Sequence, residues 1–377
     1  MSSLSIAVVT ETHPPEVNGV AMTVGRLIEG LRGRGHRVSV LRPRQSREDR
    51  GGEGDLLLAG LPLPGYAGLR FGLPAGGALT RVWRARRPDV VHVVTEGPLG
   101  WSAVAAARKL GLPVTSGFHT NFDRYSVHYG LGWLRPAVAV YLRSLHRRTR
   151  VTFVPTEALA AELAGEGIPG VCVVGRGVDT ELFTPSRRSR DLREAWGVGE
   201  RDLACLYVGR LAPEKNLDLT CRAFDTIRAV CPQARMVWVG DGPSAARLIR
   251  ERPADRFAGT RTGTDLAAHF ASGDLFLFGS LSETYGNVVA EAMASGLAVA
   301  AYRSAAAAEI IADGFSGRSV PPGDEAAFVA AALGLAMDNG LRRAIGRRAR
   351  LGMETRGWPG VVERFEGVLR QAALKTS

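Results

Sequence analysis

Residues 204–219 read ACLYVGRLAPEKNLDL. Five apolar residues run into Gly209 and Arg210, and Lys215 stands five positions further on, where a helical pattern begins. A short buried strand, a turn and a helix, in that order, is the repeating unit of a parallel α/β sheet. The unit recurs on both sides of this stretch. Before it, strands are expected at 5–9, 37–41, 90–94, 113–117, 151–155 and 171–175, with helices near 20–33, 99–110, 134–148 and 157–165. After it, strands are expected at 235–242, 274–280 and 297–302, with helices near 215–229, 243–251, 264–271 and 287–295. Residues 44–77, rich in Gly, Pro and charge, are expected to hold loops and a weak strand. The turn-rich basic stretch 175–191 divides the series. Two Rossmann-like units follow, 1–174 and 175–357, and an amphipathic terminal helix within 358–377 is expected to pack back on the first.

The totals narrow the class. With 377 residues, 45% apolar and 23% charged, the chain has the composition of a soluble two-domain protein. No apolar run approaches the roughly 18 residues that a membrane span needs. The first residues, MSSLSIAVVTETH, lack a basic leader and read as a strand. The expectation is a cytoplasmic protein that meets the cytoplasmic membrane face, if at all, from its surface. Four widely spaced cysteines suggest reduced thiols and no metal centre. Of 48 basic residues 45 are Arg, a skew that reads as coding bias, so the net charge of +11 does not by itself call for nucleic acid. Its distribution is more telling: residues 1–170 carry 21 basic and 13 acidic residues.

Ligands of such folds bind beyond the carboxyl ends of the strands. Four loops there carry candidates. In the loop after 5–9, Asn18-Gly19 precedes a helix whose free N–H groups suit an anion; the competing reading is a turn glycine without a ligand. GFHTNFDRY (117–125) places His119 at a strand end as hydrogen-bond partner or local base, against the reading of a packed histidine. Asp123 and Arg124 follow it, as acceptor-side residues or as a surface pair. In YVGRLAPEKN, Arg210 and Lys215 form a two-pronged cation suited to a diphosphate. The alternative is solvated charge, yet a chain with three lysines keeps one here. VGDGPS (239–244) reads as turn chemistry and helix entry.

The last loop, SETYGNVVAEAMASG (282–296), brackets an apolar run between Glu283 and Glu291. One helix through both would hold them roughly 12 Å apart along its axis. If the helix begins at Gly286-Asn287, Glu283 lies at its mouth and Glu291 about one turn inside. Ser282 and Thr284 then offer N-terminal polar groups, and Val288, Val289, Ala292 and Met293 the buried face. Carboxylates so placed suit hydroxyl-rich ligands, and the N–H groups of the turn suit phosphate.

Together, GRLAPEKN (209–216), the E-x7-E of SETYGNVVAEAMASG, VGDGP, GRGVDTELF (175–183) and ASGDLFLFGS (271–280) resemble the retaining glycosyltransferases of family four, whose GT-B fold sets two Rossmann-like domains facing across a cleft. FHTNFDRYSVHYG (118–130) is similar to a subgroup of mannosyl and sulfoquinovosyl lipid transferases. The resemblance implies that Arg210 and Lys215 bind the donor diphosphate, with Gly19 meeting the same phosphates. It places Glu283 on sugar hydroxyls, Glu291 on the ribose, His119 near the transferred sugar and Arg261 near the base. Tyr285, Gly286 and Asn287 complete the donor turn, and Asn18 joins Asp123 and Arg124 on the acceptor side. It implies a nucleotide-sugar co-substrate, no further cofactor and no metal; no D-x-D occurs in the chain. Retention is expected by front-face attack, with the leaving phosphate taking the acceptor proton. Where many relatives carry a Gly-rich turn after strand 297–302, this chain has AYRSAAAAEI.

The helix around LRPAVAVYLRSLHRRTR (134–150) carries Leu134, Val138, Tyr141, Leu142 and Leu145 near one face, with Arg135, Arg143, Arg147, Arg148 and Arg150 beside and after it. This suits an anionic membrane surface or a domain helix with a solvated basic end. The expected reaction moves α-mannose from GDP-mannose to a lipid-linked or glycolipid acceptor. A UDP-sugar or a soluble glycoside acceptor is the alternative within the class. A sugar-nucleotide epimerase or a non-catalytic binding protein is the alternative outside it.

Overall fold

The computed structural model describes all residues except 1, 15, 17, 47, 53, 63–69, 120–134 and 375–377. The chain forms two compact units, Met1–Arg176 together with Trp358–Ser377, and Gly177–Gly357.

In the first unit the described strands are β1 (Ser5–Val9), β2 (Arg37–Pro43), β3 (Leu56–Leu58), a small antiparallel hairpin of β4 (Gly60–Pro62) and β5 (Arg70–Gly72), then β6 (Val90–Val93), β7 (Val114–Gly117), β8 (Val151–Val154) and β9 (Val171–Val173). All but the hairpin join one parallel sheet in the order β3-β2-β1-β6-β7-β8-β9. Parallel strands need crossovers, and α1 (Gly19–Gly33), α2 (Gly76–Ala85), α3 (Pro98–Lys109), α4 (Arg135–His146) and α5 (Glu157–Gly165) lie between strands in the chain. Helices on both faces bury every position of a central strand, which is why β1 reads SIAVV without alternation.

The second unit repeats the scheme with β10 (Ala204–Val208), β11 (Arg235–Val239), β12 (Arg256–Gly259), β13 (Leu275–Phe278), β14 (Ala298–Tyr302) and β15 (Arg318–Val320), in the order β12-β11-β10-β13-β14-β15. Its helices are α6 (Arg190–Ala195), α7 (Leu217–Val230), α8 (Ala245–Glu251), α9 (Gly263–Ser272), α10 (Asn287–Ala294), α11 (Ala305–Ile310), α12 (Glu325–Met337) and α13 (Asn339–Glu354). The two strands that the sequence did not reveal, β12 and β15, are the sheet's edges, RFAG and RSV, with too few apolar residues to register. Helix α12 escaped because EAAFVAAALGLAM is apolar on all sides and shows no stripe, although Asp324 caps it by accepting from the Ala327 N–H at 2.9 Å.

The terminal helix α14 (Trp358–Leu374) belongs to the first unit. Val362, Phe365 and Leu369 are buried against Ile28 and Leu31 of α1, and Phe365 meets Phe153 at a centroid distance of 4.7 Å. Gly30 makes room for the approach: a Cβ there would lie 2.4 Å from Val362 Cγ2. One turn of α14 is fixed by charge. Glu366, buried, accepts from Arg34 and from Arg370 at 2.7 Å, and its third contact is His36 Nε2 at 3.0 Å. Burial alone would raise its pKa, but the hydrogen bonds from Arg34, Arg370 and His36 outweigh burial and hold it at about 2.

A carboxyl depressed in the folded state stabilises the fold above its unfolded pKa and loses that contribution as pH falls through the folded value. Glu366→Gln is therefore expected to cost about 3 kcal/mol at pH 7. The difference from the parent should shrink between about pH 4.5 and pH 2. Urea unfolding across that range measures it, and a difference unchanged from pH 7 to pH 3 would contradict the clamp.

Candidate active site

The donor-side candidates gather where β10 and β13 end. After β10, Gly209 and Arg210 lead into a single 3₁₀ turn, Pro213–Lys215, and Asn216 in the left-handed region (φ 52°) starts α7. The Asn216 side chain donates to the Gly279 carbonyl at 3.2 Å, tying this loop to the one after β13. Ser282 adds a second tie by donating to the Glu214 carbonyl at 2.9 Å. Between the ties Lys215 Nζ meets Glu283 Oε1 at 2.5 Å. Both side chains are largely buried, with 12% and 14% exposure, so this pair is shielded from water and salt. Arg210 lies 3.6 Å from Glu214, a buried carboxylate whose two oxygens have no hydrogen-bond partner among the described residues. Tyr207 supports the group from the strand, donating to the Arg210 carbonyl at 3.1 Å.

VGDGPS lies under this loop. The Leu211 N–H donates to Asp241 O at 2.9 Å and the Ser244 N–H to Leu211 O at 2.8 Å. A Cβ on Gly240 would come within 1.9 Å of Gly209 O, and one on Gly242 within 2.5 Å of Leu211 O. Those glycines are needed for close backbone approach, and the motif acts on the site through the β10 loop.

Helix α10 begins at Asn287 behind Gly286, which takes φ 85° as its cap residue. Neither Ser282 nor Thr284 caps it, contrary to the sequence expectation; the Ser282 hydroxyl is spent on Glu214. Glu283 stands at the mouth of the helix and Glu291 within it. Val289, Ala292 and Met293 are buried, Val288 only partly. Burial raises Glu291 to about 7. Tyr285 is buried, and its carbonyl accepts from the Ala306 N–H at 2.7 Å. Arg261, beyond β12, donates to Ala258 O at 2.8 Å and to Asp265 at 3.0 Å, so it stands at the sheet's far edge, apart from the β10–β13 cluster.

In the first unit Gly19 is the first residue of α1. The Asn18 side-chain oxygen accepts from the N–H groups of Val20 and Ala21 at 3.1 and 2.9 Å, and its amide donates to Thr12 Oγ1 at 2.7 Å. The fold thus uses both ends of that side chain. His119 stands two residues beyond β7 with its ring folded over Gly117, where a Cβ would lie 2.4 Å from Nε2. Burial, then the charges of Arg176, His92 and His146, hold its pKa well below the usual imidazole value, so the ring is neutral at pH 7. Asp123 and Arg124 lie outside the described residues.

Residues 17–182 match the family described as Glycosyltransferase Family 4, and residues 202–338 match Glycosyl transferases group 1. A GDP-mannose-dependent alpha-mannosyltransferase of Mycobacterium tuberculosis is 34% identical over 97% of this chain and 96% of its own. The chain is a family-four glycosyltransferase. Sulfoquinovosyl transferase SQD2 of Arabidopsis thaliana is 32% identical over 83% of this chain and 62% of its own. In fold, the sucrose-phosphate synthase of Thermosynechococcus elongatus superposes with a TM-score of 0.80 at 17% identity, covering 97% of this chain and 98% of the other. The architecture is GT-B.

Two residues of the transferase's strand ends escaped the sequence reading. Glu214 sits in a loop, where a carboxylate reads as solvated, and only the tie from Ser282 shows it buried. Glu11, just after β1, accepts from the Leu99 N–H at 3.3 Å at the start of α3. Gly97 leaves room for it, since a Cβ there would lie 2.1 Å from Glu11 Oε2. Burial raises Glu11 to about 7, against the backbone hydrogen bonds of Leu99 and Gly72.

The alanine run after β14 opens on a strained residue. Ala305, the first residue of α11, has φ 48°. The left-handed region costs a residue with a Cβ roughly 1–2 kcal/mol. Glycine removes that cost but gives back about 0.4–1 kcal/mol through the freer unfolded chain. Ala305→Gly should therefore stabilise the transferase by about 0.5–1 kcal/mol, a rise of about 2 °C in melting temperature. A fall in melting temperature would contradict the strain.

Proposed function

We propose that the transferase moves α-mannose from GDP-mannose to a lipid-linked or glycolipid acceptor with retention of anomeric configuration. The observation that carries the reading is the Arg210, Glu214, Lys215 and Glu283 cluster at the ends of β10 and β13. The donor identity rests on the mycobacterial mannosyltransferase, similar along nearly the whole chain. In this reaction the bond from the sugar's anomeric carbon to the diphosphate breaks, and its electron pair leaves with the phosphate oxygen. The acceptor oxygen bonds to that carbon from the same face, and its proton passes to the leaving phosphate. Arg210 and Lys215 stabilise the charge that grows there, so neither a metal nor a carboxylate nucleophile is needed. Donor binding draws Lys215 toward phosphate and frees Glu283 to accept from sugar hydroxyls. Glu291 accepts from the ribose. His119, neutral, hydrogen-bonds the transferred sugar without adding positive charge beside a centre that is itself becoming positive.

The first unit supports an anionic membrane surface as the source of the acceptor, though by a different element from the one expected. The apolar side of α4 packs inward, with Leu142 and Leu145 buried; Leu134 lies outside the described residues, and three of the basic residues on and after the helix are held locally. Arg143 pairs with Glu166 at 3.8 Å, Arg147 donates to Gly167 O at 2.9 Å, and Arg150 to Ala372 O at 2.7 Å. A groove of about 750 Å³ between α2 and α3 offers the stronger surface. Its walls carry Arg81, Arg84 and Lys109 around Trp101, with the Arg148 guanidinium 4.7 Å over the indole. Among the described residues no helix is long and apolar enough to cross a membrane.

Lys215→Ala and Glu283→Ala should each cost about 2–4 kcal/mol of transition-state stabilisation, seen as a fall of roughly 30- to 1,000-fold in kcat/KM. Near-normal turnover with the correct donor and acceptor would refute the placement. GDP-mannose should raise the melting temperature with the logarithm of its concentration. A rise with UDP- or ADP-sugars alone would reassign the donor. Arg81→Glu with Arg84→Glu should abolish co-sedimentation with vesicles containing anionic lipid; equal binding of the parent to neutral and anionic vesicles would remove the electrostatic docking.

A further inference from the structure

The motif GRGVDTELF holds one buried charge that the donor site does not use. Arg176 is 9% exposed and is the last residue of the first unit. Its guanidinium donates to the Gly19 carbonyl at 3.4 Å. The same carbonyl accepts from the Thr23 hydroxyl at 2.7 Å, so the opening residue of α1 is gripped from within the helix and from outside it. Arg176 also shares the wall of a small cavity, about 20 Å³, with Thr23, His92, His119, Gly175 and Phe365. One side chain therefore touches the start of α1 and lines the same small cavity as His119.

We propose that Arg176 is a positioning residue for the transfer reaction, locking the Gly19 entrance of α1 and the ring of His119 into one rigid wall. The stability of α1 does not account for its placement, because a cation at the positive end of a helix is unfavourable to that helix. A guanidinium keeps its charge at any working pH. Set beside His119, it opposes protonation of the imidazole, adding to burial and to the neighbouring His92 and His146 rings, the latter with Glu96 at 3.7 Å. Arg176 thus preserves both the position and the neutral state of the ring that the proposed reaction requires. The kinetic part of this inference rests on that reaction, whereas the part concerning His119 does not.

The test uses the full chain with ¹⁵N-labelled histidine, followed by NMR through pH, with His119→Gln to assign the resonance. In the parent, His119 should stay neutral to the lowest pH at which the fold survives. In Arg176→Gln its pKa should rise, so that the ring takes up a proton at a pH where the parent's stays neutral. In Arg176→Lys, which keeps the charge without the fork, His119 should stay neutral. With GDP-mannose as donor, both variants should lose about 10- to 100-fold in kcat, because displacement by about 1 Å is enough for such a loss. An unmoved His119 titration in Arg176→Gln overturns the proposal, and so does a kcat retained in both variants. A parent that shows no transfer from any sugar nucleotide, with the His119 shift present, counts against the reaction and upholds the positioning. Should Arg176→Gln fail to fold, the proposal stands or falls on the kcat and His119 state of Arg176→Lys.

Discussion

An ammonium and a carboxylate 2.5 Å apart organise the strand ends of β10 and β13 in this transferase. The Lys215–Glu283 pair joins the loop after β10 to the loop after β13, and it does so in a partly dry place. Removing either partner leaves a buried charge, which costs far more than the pair contributes as a whole. This asymmetry bears on selectivity. A free phosphate offers Lys215 a new partner but strands Glu283, and a free sugar offers hydroxyls to Glu283 but strands Lys215. Only a ligand that carries both groups, correctly spaced, replaces the pair without loss. In the proposed reaction the ion pair would act as a filter that favours an intact sugar diphosphate over its fragments.

The second pair differs in kind. Arg210 and Glu214 are 3.6 Å apart, beyond a good hydrogen bond, and the Glu214 oxygens are buried without hydrogen-bond partners among the described residues. In the proposed reaction Arg210 would turn from Glu214 toward the donor diphosphate. Because a planar guanidinium binds phosphate through two parallel N–H groups, its orientation matters as much as its charge. Ser282 and Tyr207 fix the backbone on which both members stand, so the arrangement depends on residues that need not meet substrate.

The legible parts of this molecule were those set by local pattern. Apolar pentads gave the central strands, the stripe in α14 gave its buried face, and the step from strand to helix put Arg210 and Lys215 in one loop. Gly286-Asn287 as the start of α10 followed from the same kind of reading. What stayed hidden depends on contacts between distant segments. Glu214 looks solvated until the β13 loop folds over it. Glu11 serves α3, 88 positions later in the chain. Ser282 looked like a cap and is instead a brace, because the left-handed Gly286 already turns the chain into the helix. The apolar stripe of α4 was visible, but whether it faced a membrane or the core lay beyond periodicity.

Ala305 shows how a departure from pattern can preserve geometry. The turn after β14 keeps a left-handed residue at the start of α11, and the chain accepts strain there in place of a glycine. The Ala306 N–H is committed to Tyr285 O, which links this turn to the mouth of α10 beside Glu283. Were the turn to relax toward an ordinary alanine conformation, that hydrogen bond would be lost and the Tyr285 backbone with it. Strain of this size persists only where surrounding contacts over-determine it. Here those contacts join the turn to the mouth of α10, so the conformation, and not the residue type, is what the packing requires.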